Sequence, residues 1–397
     1  MTRSRSRVGP LAVTESPAPD LDTDALIDDP TTGIIVCCGS GGVGKTTTAA
    51  ALALRAAERG RRVVVLTIDP ARRLAQSMGI ESLDNTPRPV LGVDPAHGGS
   101  LDAMMLDMKR TFDEVVQSQA SEEKARQILA NPFYVALSSS FAGTQEYMAM
   151  EKLGQIHRDA RRDGTYDLIV VDTPPSRSAL DFLDAPERLS SFLDGKFIRL
   201  LLAPARGPAR LMTAGLGLIT NALTKILGAQ VLRDMQTFVA AFDTLFGGFR
   251  QRAQKTFALL QADGTSFLVV AAPEPDALRE AQYFVERLSE DRMPLGGLIV
   301  NRASPSPQGG LGADEAMAAA ARLRTSDPES VTAGLLRLHA DRARMVERES
   351  RLRDRFAAAH PEVATAVVPA LAGDVHDLDG LRTIGALLSG QGPAIRS

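Results

Sequence analysis

Residues 39 to 46 read Gly-Ser-Gly-Gly-Val-Gly-Lys-Thr, which fits the pattern G-x-x-x-x-G-K-[ST] at Gly39, Gly44, Lys45 and Thr46. Glycines let successive backbone N–H groups converge on one point, and a helix opening behind them adds its positive dipole. Lys45 supplies a point charge for β- and γ-phosphates, and the Thr46 hydroxyl is a ligand type for Mg2+. The implied ligand is a nucleoside triphosphate, held by Gly39, Ser40, Gly41, Gly42, Val43, Gly44, Lys45, Thr46 and Thr47. Hydrolysis also requires a group for the attacking water and an acid near the metal. Two aspartates fit: Asp69 in Thr67-Ile68-Asp69-Pro70-Ala71-Arg72-Arg73, and Asp172 in Asp172-Thr173-Pro174-Pro175-Ser176. Asp69 and Lys45 are the candidate catalytic pair; Thr46 and Asp172 are the candidate metal ligands. Either aspartate also reads as a helix N-cap, an alternative left open by the residues alone.

These groups need a scaffold that gathers them. Short β-branched runs at 34–36, 63–68, 168–171, 267–271, 298–300 and 363–368 alternate with helical patterns. Apolar strands separated by amphipathic helices imply an α/β fold with a mostly parallel sheet flanked by helices, and such sheets collect strand C-termini in one crevice. Two segments break the rhythm. Residues 99–163 and 186–262 read as helical insertions, expected to form a helical subdomain on a P-loop ATPase domain spanning 31–397. A third helical stretch, 312–360, is rich in arginine. Residues 1–30, with three early arginines followed by prolines and aspartates, read as a disordered tail.

Composition narrows the class. The 397 residues carry a formal net charge of −3, no tryptophan and 5% aromatic residues, which argues against a base-stacking nucleic-acid platform. The two cysteines, Cys37 and Cys38, are adjacent and read as core; they offer neither a disulfide framework nor a zinc site, which favours a cytosolic chain. Only seven of the 45 basic residues are lysines, so Lys45 at a motif position is conspicuous.

Taken together, these motifs resemble the ArsA family, the arsenite-pump and tail-anchored-protein-targeting ATPases of the dimeric P-loop class. Gly39 to Thr47 is similar to the family's phosphate loop, Thr67 to Ala71 to its first switch and Asp172 to Ser176 to its second. Gly143-Thr144-Gln145-Glu146 resembles a family helix start and Pro273-Glu274 a family turn. Ile299-Val300-Asn301-Arg302 and Val368-Pro369-Ala370-Leu371 resemble its adenine-side elements. The resemblance implies ATP and Mg2+ as ligands, with Asp69 acting on the attacking water and Asp172 holding the metal indirectly. It also implies Asn301 reading adenine, Pro369 on the adenine side, and Glu274 near the nucleotide in a dimer.

Three departures qualify the likeness. The family's lysine after the first glycine, which reaches the partner's phosphates, is here Ser40. Its loss points to a heterodimer with a related subunit that keeps the lysine, as in the actinobacterial anion-transporting homologues that occur as paired unequal subunits; a homodimer in which an arginine substitutes is the alternative. In the second switch, Arg177-Ser178-Ala179 stands where the family has Gly-His-Thr. The cysteines for arsenite activation and zinc bridging are missing. Leu216, Ile219, Leu223, Ile226 and Leu227 share one helical face. It reads either as helices that bury one another or, as the resemblance to the family's targeting branch implies, as a surface for a membrane protein or hydrophobic client at the membrane periphery. The expected function is a cytoplasmic Mg-dependent ATPase whose dimer closure drives a helical subdomain. The alternatives are a partition or positioning ATPase and a nucleotide-binding scaffold with negligible hydrolysis.

Overall fold

The computed structural model describes residues 19–69, 73–132, 134, 135, 138, 144–174, 248, 251–306, 310–327 and 330–391. An eight-stranded sheet forms the centre. Its strands are β1 (Ile34–Cys38), β2 (Arg62–Thr67), β3 (Arg88–Pro89), β4 (Ser100–Met105), β5 (Leu168–Asp172), β6 (Thr265–Ala271), β7 (Leu295–Ala303) and β8 (Thr365–Pro369). They lie in the order β3-β4-β2-β5-β1-β6-β7-β8, parallel except for β3.

Runs such as Ile-Ile-Val-Cys-Cys are apolar at every position because both sheet faces are covered. Successive side chains alternate faces, so Ile34, Val36 and Cys38 join one core cluster while Ile35 and Cys37 join the other. The first cluster is covered by α4 (Met108–Gln119), α5 (Glu122–Leu129), α6 (Thr144–Asp163) and α7 (Pro275–Glu290). The second is covered chiefly by α2 (Lys45–Glu58) and α10 (Leu378–Leu388), with α3 (Arg73–Ser77) beside them. Between β7 and β8 stands a helical hairpin, α8 (Ala313–Ser326) and α9 (Val331–Ala359). Both cysteines are core, as their sequence context predicts. Among the described residues no helix is long and apolar enough to cross a membrane.

Two expectations are corrected. Residues 19–30 are not a disordered tail: Thr23–Asp28 form α1, capped by Asp22, whose carboxylate accepts the Ala25 N–H at 2.9 Å. Ile27 is fully buried, a contribution of about 2 kcal/mol, and Asp20 bridges Thr365 at the free edge of β8. The aspartates that suggest disorder in the sequence are the partners of arginines on and after α2. Residues 1–18 lie outside the described residues. The helical insertion at 99–163 also begins with a strand, since β4 occupies Ser100–Met105. Leu, Asp, Ala and Met carry no intrinsic strand preference, and six-residue parallel pairing with β2 overrides their local tendency. Its remaining helices share a core cluster with the sheet. Of the insertion at 186–262, residues 251–260 are helical. The apolar face at 216–227, Gly143, Pro70–Arg72 and 175–179 lie outside the described residues.

Candidate functional site: the phosphate loop and the carboxyl edge of the sheet

The phosphate loop leaves β1 and enters α2, and its glycines are dictated by space. A Cβ at Gly39 (φ 145°) would stand 2.1 Å from the Val270 carbonyl oxygen on β6. At Gly44 (φ 93°), which is the N-cap of α2, it would stand 2.2 Å from Nδ2 of Asn301. Val43, the one apolar residue of the loop, is buried in the core cluster under α2 and anchors it. Gly41 and Gly42 are exposed, while Thr46 and Thr47 are half-buried at the first turn of the helix.

Lys45 is buried, and its Nζ donates to the Ser40 carbonyl at 2.7 Å. Burial pulls its pKa down, opposed by the charges of Asp172 and Asp69. Those two aspartates arrive from the neighbouring strands, because β5 lies between β1 and β2. Asp172 ends β5 with no solvent exposure; its Oδ2 accepts the Thr67 hydroxyl at 2.8 Å. Burial pushes its carboxyl up to about 6, against the opposing influence of the Thr46 and Thr67 hydroxyls and Lys45. Thr67 in turn accepts the Asp69 N–H at 3.2 Å, so one hydroxyl ties both acidic positions together. The Asp172 carbonyl accepts the Ile68 N–H at 2.9 Å, and Thr173 donates its hydroxyl to the Cys37 carbonyl at 2.9 Å. These bonds lock the three strand ends to one another.

Asp172 also passes a test for a divalent cation. Its Oδ1 is buried with no hydrogen-bond partner, an expensive condition unless something positive binds there, and the Thr46 hydroxyl lies beside the same carboxylate. An anionic oxygen and a neutral hydroxyl are hard donors suited to Mg2+, which keeps several of its ligand positions for water and phosphate. Thr46 and Asp172 therefore fit the group.

The other expected residues fall on the same edge of the sheet. Asn301 lies on β7, buried, with its amide Nδ2 donating to the Val43 carbonyl at 2.8 Å. Glu274 is the exposed N-cap residue of α7, just after β6, and Pro369 ends β8. Sequence reasoning did not single out Thr67, Thr173 or Arg302. Arg302 follows Asn301 with a left-handed φ of 59°, and its guanidinium donates to the Gly42 carbonyl at 2.7 Å.

The profile of the family described as anion-transporting ATPases matches residues 32–310, a span that contains the loop, both aspartates and Asn301. The chain belongs to the anion-transporting ATPase family. Its relatives include the ATPase GET3 of Candida glabrata, 26% identical over 288 residues covering 70% of this chain and 74% of the relative. The ATPase BagA of Mycobacterium tuberculosis is 26% identical over 305 residues, covering 75% of this chain and 72% of the relative. With membership of the anion-transporting ATPase family comes the enzyme class: the chain is an ATPase. The family match stops just before the α8–α9 hairpin.

Proposed function

We propose that this chain is a Mg-dependent ATPase in which nucleotide binding and hydrolysis drive closure of a dimer and thereby move a helical subdomain against a membrane-associated partner, transporter or hydrophobic client. The observation that carries the reading is the convergence of Lys45, Asp172 and Asp69 on the phosphate loop, with Asp172 retaining an unpaired buried oxygen.

Each residue has a distinct task. The loop N–H groups and the dipole of α2 receive phosphate oxygens, and Lys45 gives up its contact with the Ser40 carbonyl to neutralise the β- and γ-phosphates. Thr46 directly and Asp172 indirectly would hold Mg2+, which would offset the charge developing on the phosphates. Asp69 orients the attacking water and accepts its proton. Asn301 and Pro369 frame the adenine side, and Glu274 approaches the nucleotide in the dimer. The Asn301 amide already donates to Val43, so reading a base would use its remaining N–H.

Ser40 bears on the partner. A serine is uncharged and too short to cross an interface, so the cation that a closed dimer needs at the shared phosphates comes from a related subunit that has lysine there. The same residue favours a second reading, a subunit that binds ATP but turns it over negligibly by itself. Steady-state hydrolysis by the chain alone, and mixed with a lysine-bearing homologue, separates the two readings. Stimulation on mixing supports the borrowed lysine, and equal rates overturn it. Asp69→Asn is expected to leave nucleotide binding within about threefold while lowering turnover by at least about a hundredfold. Unchanged turnover would remove Asp69 from the mechanism. The cytoplasmic setting and the client are tested by recovering what co-purifies with and without a slowly hydrolysed ATP analogue.

A further inference from the structure

A phosphate loop works only if its N–H groups point inward, and this requirement fixes where its carbonyls point. In a trans peptide the C=O of one residue and the N–H of the next face opposite ways. Holding the Gly42 carbonyl outward therefore holds the Val43 N–H inward, and holding the Val43 carbonyl outward does the same for the Gly44 N–H. Both carbonyls are held. The Arg302 guanidinium donates to Gly42 at 2.7 Å and Asn301 Nδ2 donates to Val43 at 2.8 Å.

Two consecutive residues of a regular strand point to opposite faces and cannot both reach one loop. Here they can, because β7 is bulged. Asn301 pairs with Val368 and Ala303 with Pro369, leaving Arg302 as the unpaired extra residue. Its φ of 59° is a conformation that arginine adopts at a cost and glycine adopts freely. Arg302 also fixes its neighbour, since its backbone N–H donates to Asn301 Oδ1 at 3.0 Å and so turns Nδ2 toward Val43. The only other residue with positive φ among the described non-glycine positions is Arg292, remote from the loop in the turn after α7.

We infer that Arg302 is a positioning residue of the nucleotide site: a bulge on β7 turns its guanidinium and the Asn301 amide onto successive carbonyls of the phosphate loop, setting the Val43 and Gly44 N–H groups for phosphate before any ligand arrives. This rests on the reading of the loop as the nucleotide site and adds a residue that acts through the loop. Preorganisation lowers the ordering that binding must otherwise supply.

The experiment compares wild type with Arg302→Gly and Arg302→Lys, measuring ADP and pyrophosphate affinity, thermal midpoint, and amide hydrogen exchange at Val43 and Gly44 in the ligand-free protein. Glycine accepts the left-handed φ, so Arg302→Gly is expected to keep or raise the midpoint while weakening both ligands by about tenfold and accelerating exchange at the two amides. Arg302→Lys keeps one charged donor and is expected to recover affinity to within about threefold of wild type. Equal ADP affinity in wild type and Arg302→Gly would overturn the inference while leaving the nucleotide site intact. So would weaker binding accompanied by a lower midpoint without faster exchange at Val43 and Gly44. Failure of the wild-type chain to bind ADP would overturn the nucleotide reading itself and the inference with it.

Discussion

The two ends of α2 are built on opposite plans. At its C-terminus every charge is matched. Arg55 makes a bidentate pair with Asp24 at 2.6 and 2.7 Å, and Arg59 binds Asp28 and also lies 3.4 Å from Asp24. The Arg59 guanidinium holds the Asp28 carboxyl below the usual carboxylate range. Arg61, just beyond, spends all five of its N–H donors: on Asp167 Oδ1, on the carbonyls of Ile27 and Asp29, and on those of Thr32 and Asp167. At the N-terminus, by contrast, a buried lysine settles for one backbone carbonyl and a buried carboxylate keeps an oxygen with no partner. Cations near the C-terminus suit the helix dipole in the resting protein, whereas the positive end waits for an anion from outside. One end holds the fold together; the other is left unsatisfied, which is what the proposed nucleotide site calls for.

Exchanging the residues at each end should therefore give opposite phenotypes. The largest effect is expected for Lys45→Ala, which should weaken ATP by about 1,000-fold, some 4 kcal/mol, while the thermal midpoint stays level or rises because a buried charge is gone. A calorimetric titration paired with a melting curve checks both halves. Arg61→Ala should do the reverse, destabilising by about 3 kcal/mol because four carbonyl contacts and the Asp167 carboxylate lose their donor together, with KM for ATP unchanged. Lysine should not rescue it, since one ammonium cannot replace a five-donor fork. Denaturant midpoints of the two variants beside wild type decide this.

Asp172→Asn sharpens the contrast through pH. The Asp172 carboxyl sits at about 6 in the folded chain and near 3.8 when unfolded. The folded state therefore binds more protons between those values, and stability falls as pH rises from about 4 to 6, by roughly 3 kcal/mol in full. An asparagine does not titrate. Without metal, the variant should match wild type in stability near pH 4 and exceed it above pH 6; with Mg2+ and ATP supplied, it should have lost hydrolysis. Parallel stability curves for the two proteins across that window would show that Asp172 is not a strained charge.

The same contrast explains what could be read from the sequence. The phosphate loop, the ends of β2 and β5 and the central strands were legible because their signals are local: glycines at fixed spacing, β-branched runs three to six residues long, an aspartate closing a run. The partners of the satisfied end were not. α1 spans six residues, too short for propensity to speak, and its aspartates acquire meaning only from arginines some 31 positions away. β4 was hidden by helix-forming residues that its pairing with β2 overrides. Arg302 escaped because its role depends on a bulge, which no property of its neighbours in sequence announces.

The smallest effect tests whether the two ends are independent. Asp24 is partly exposed and receives Arg55 through two donors, with Arg59 and Gln391 at longer range. Its truncation to alanine removes a bidentate pair near solvent, which should destabilise the chain by about 1 kcal/mol. Arg55 would retain its contact with Gln391 at 3.3 Å and regain water, so no charge is stranded. Because α2 is a rigid rod whose middle is buried from Thr48 to Leu54, loosening one end should leave the phosphate loop where it is. ATP affinity in Asp24→Ala is accordingly expected within about twofold of wild type, beside a modest fall in the denaturant midpoint. If affinity fell in step with stability, the clasp formed by α1 would be transmitting its state along α2 to the loop, and the division between a finished end and a waiting end would have to be given up.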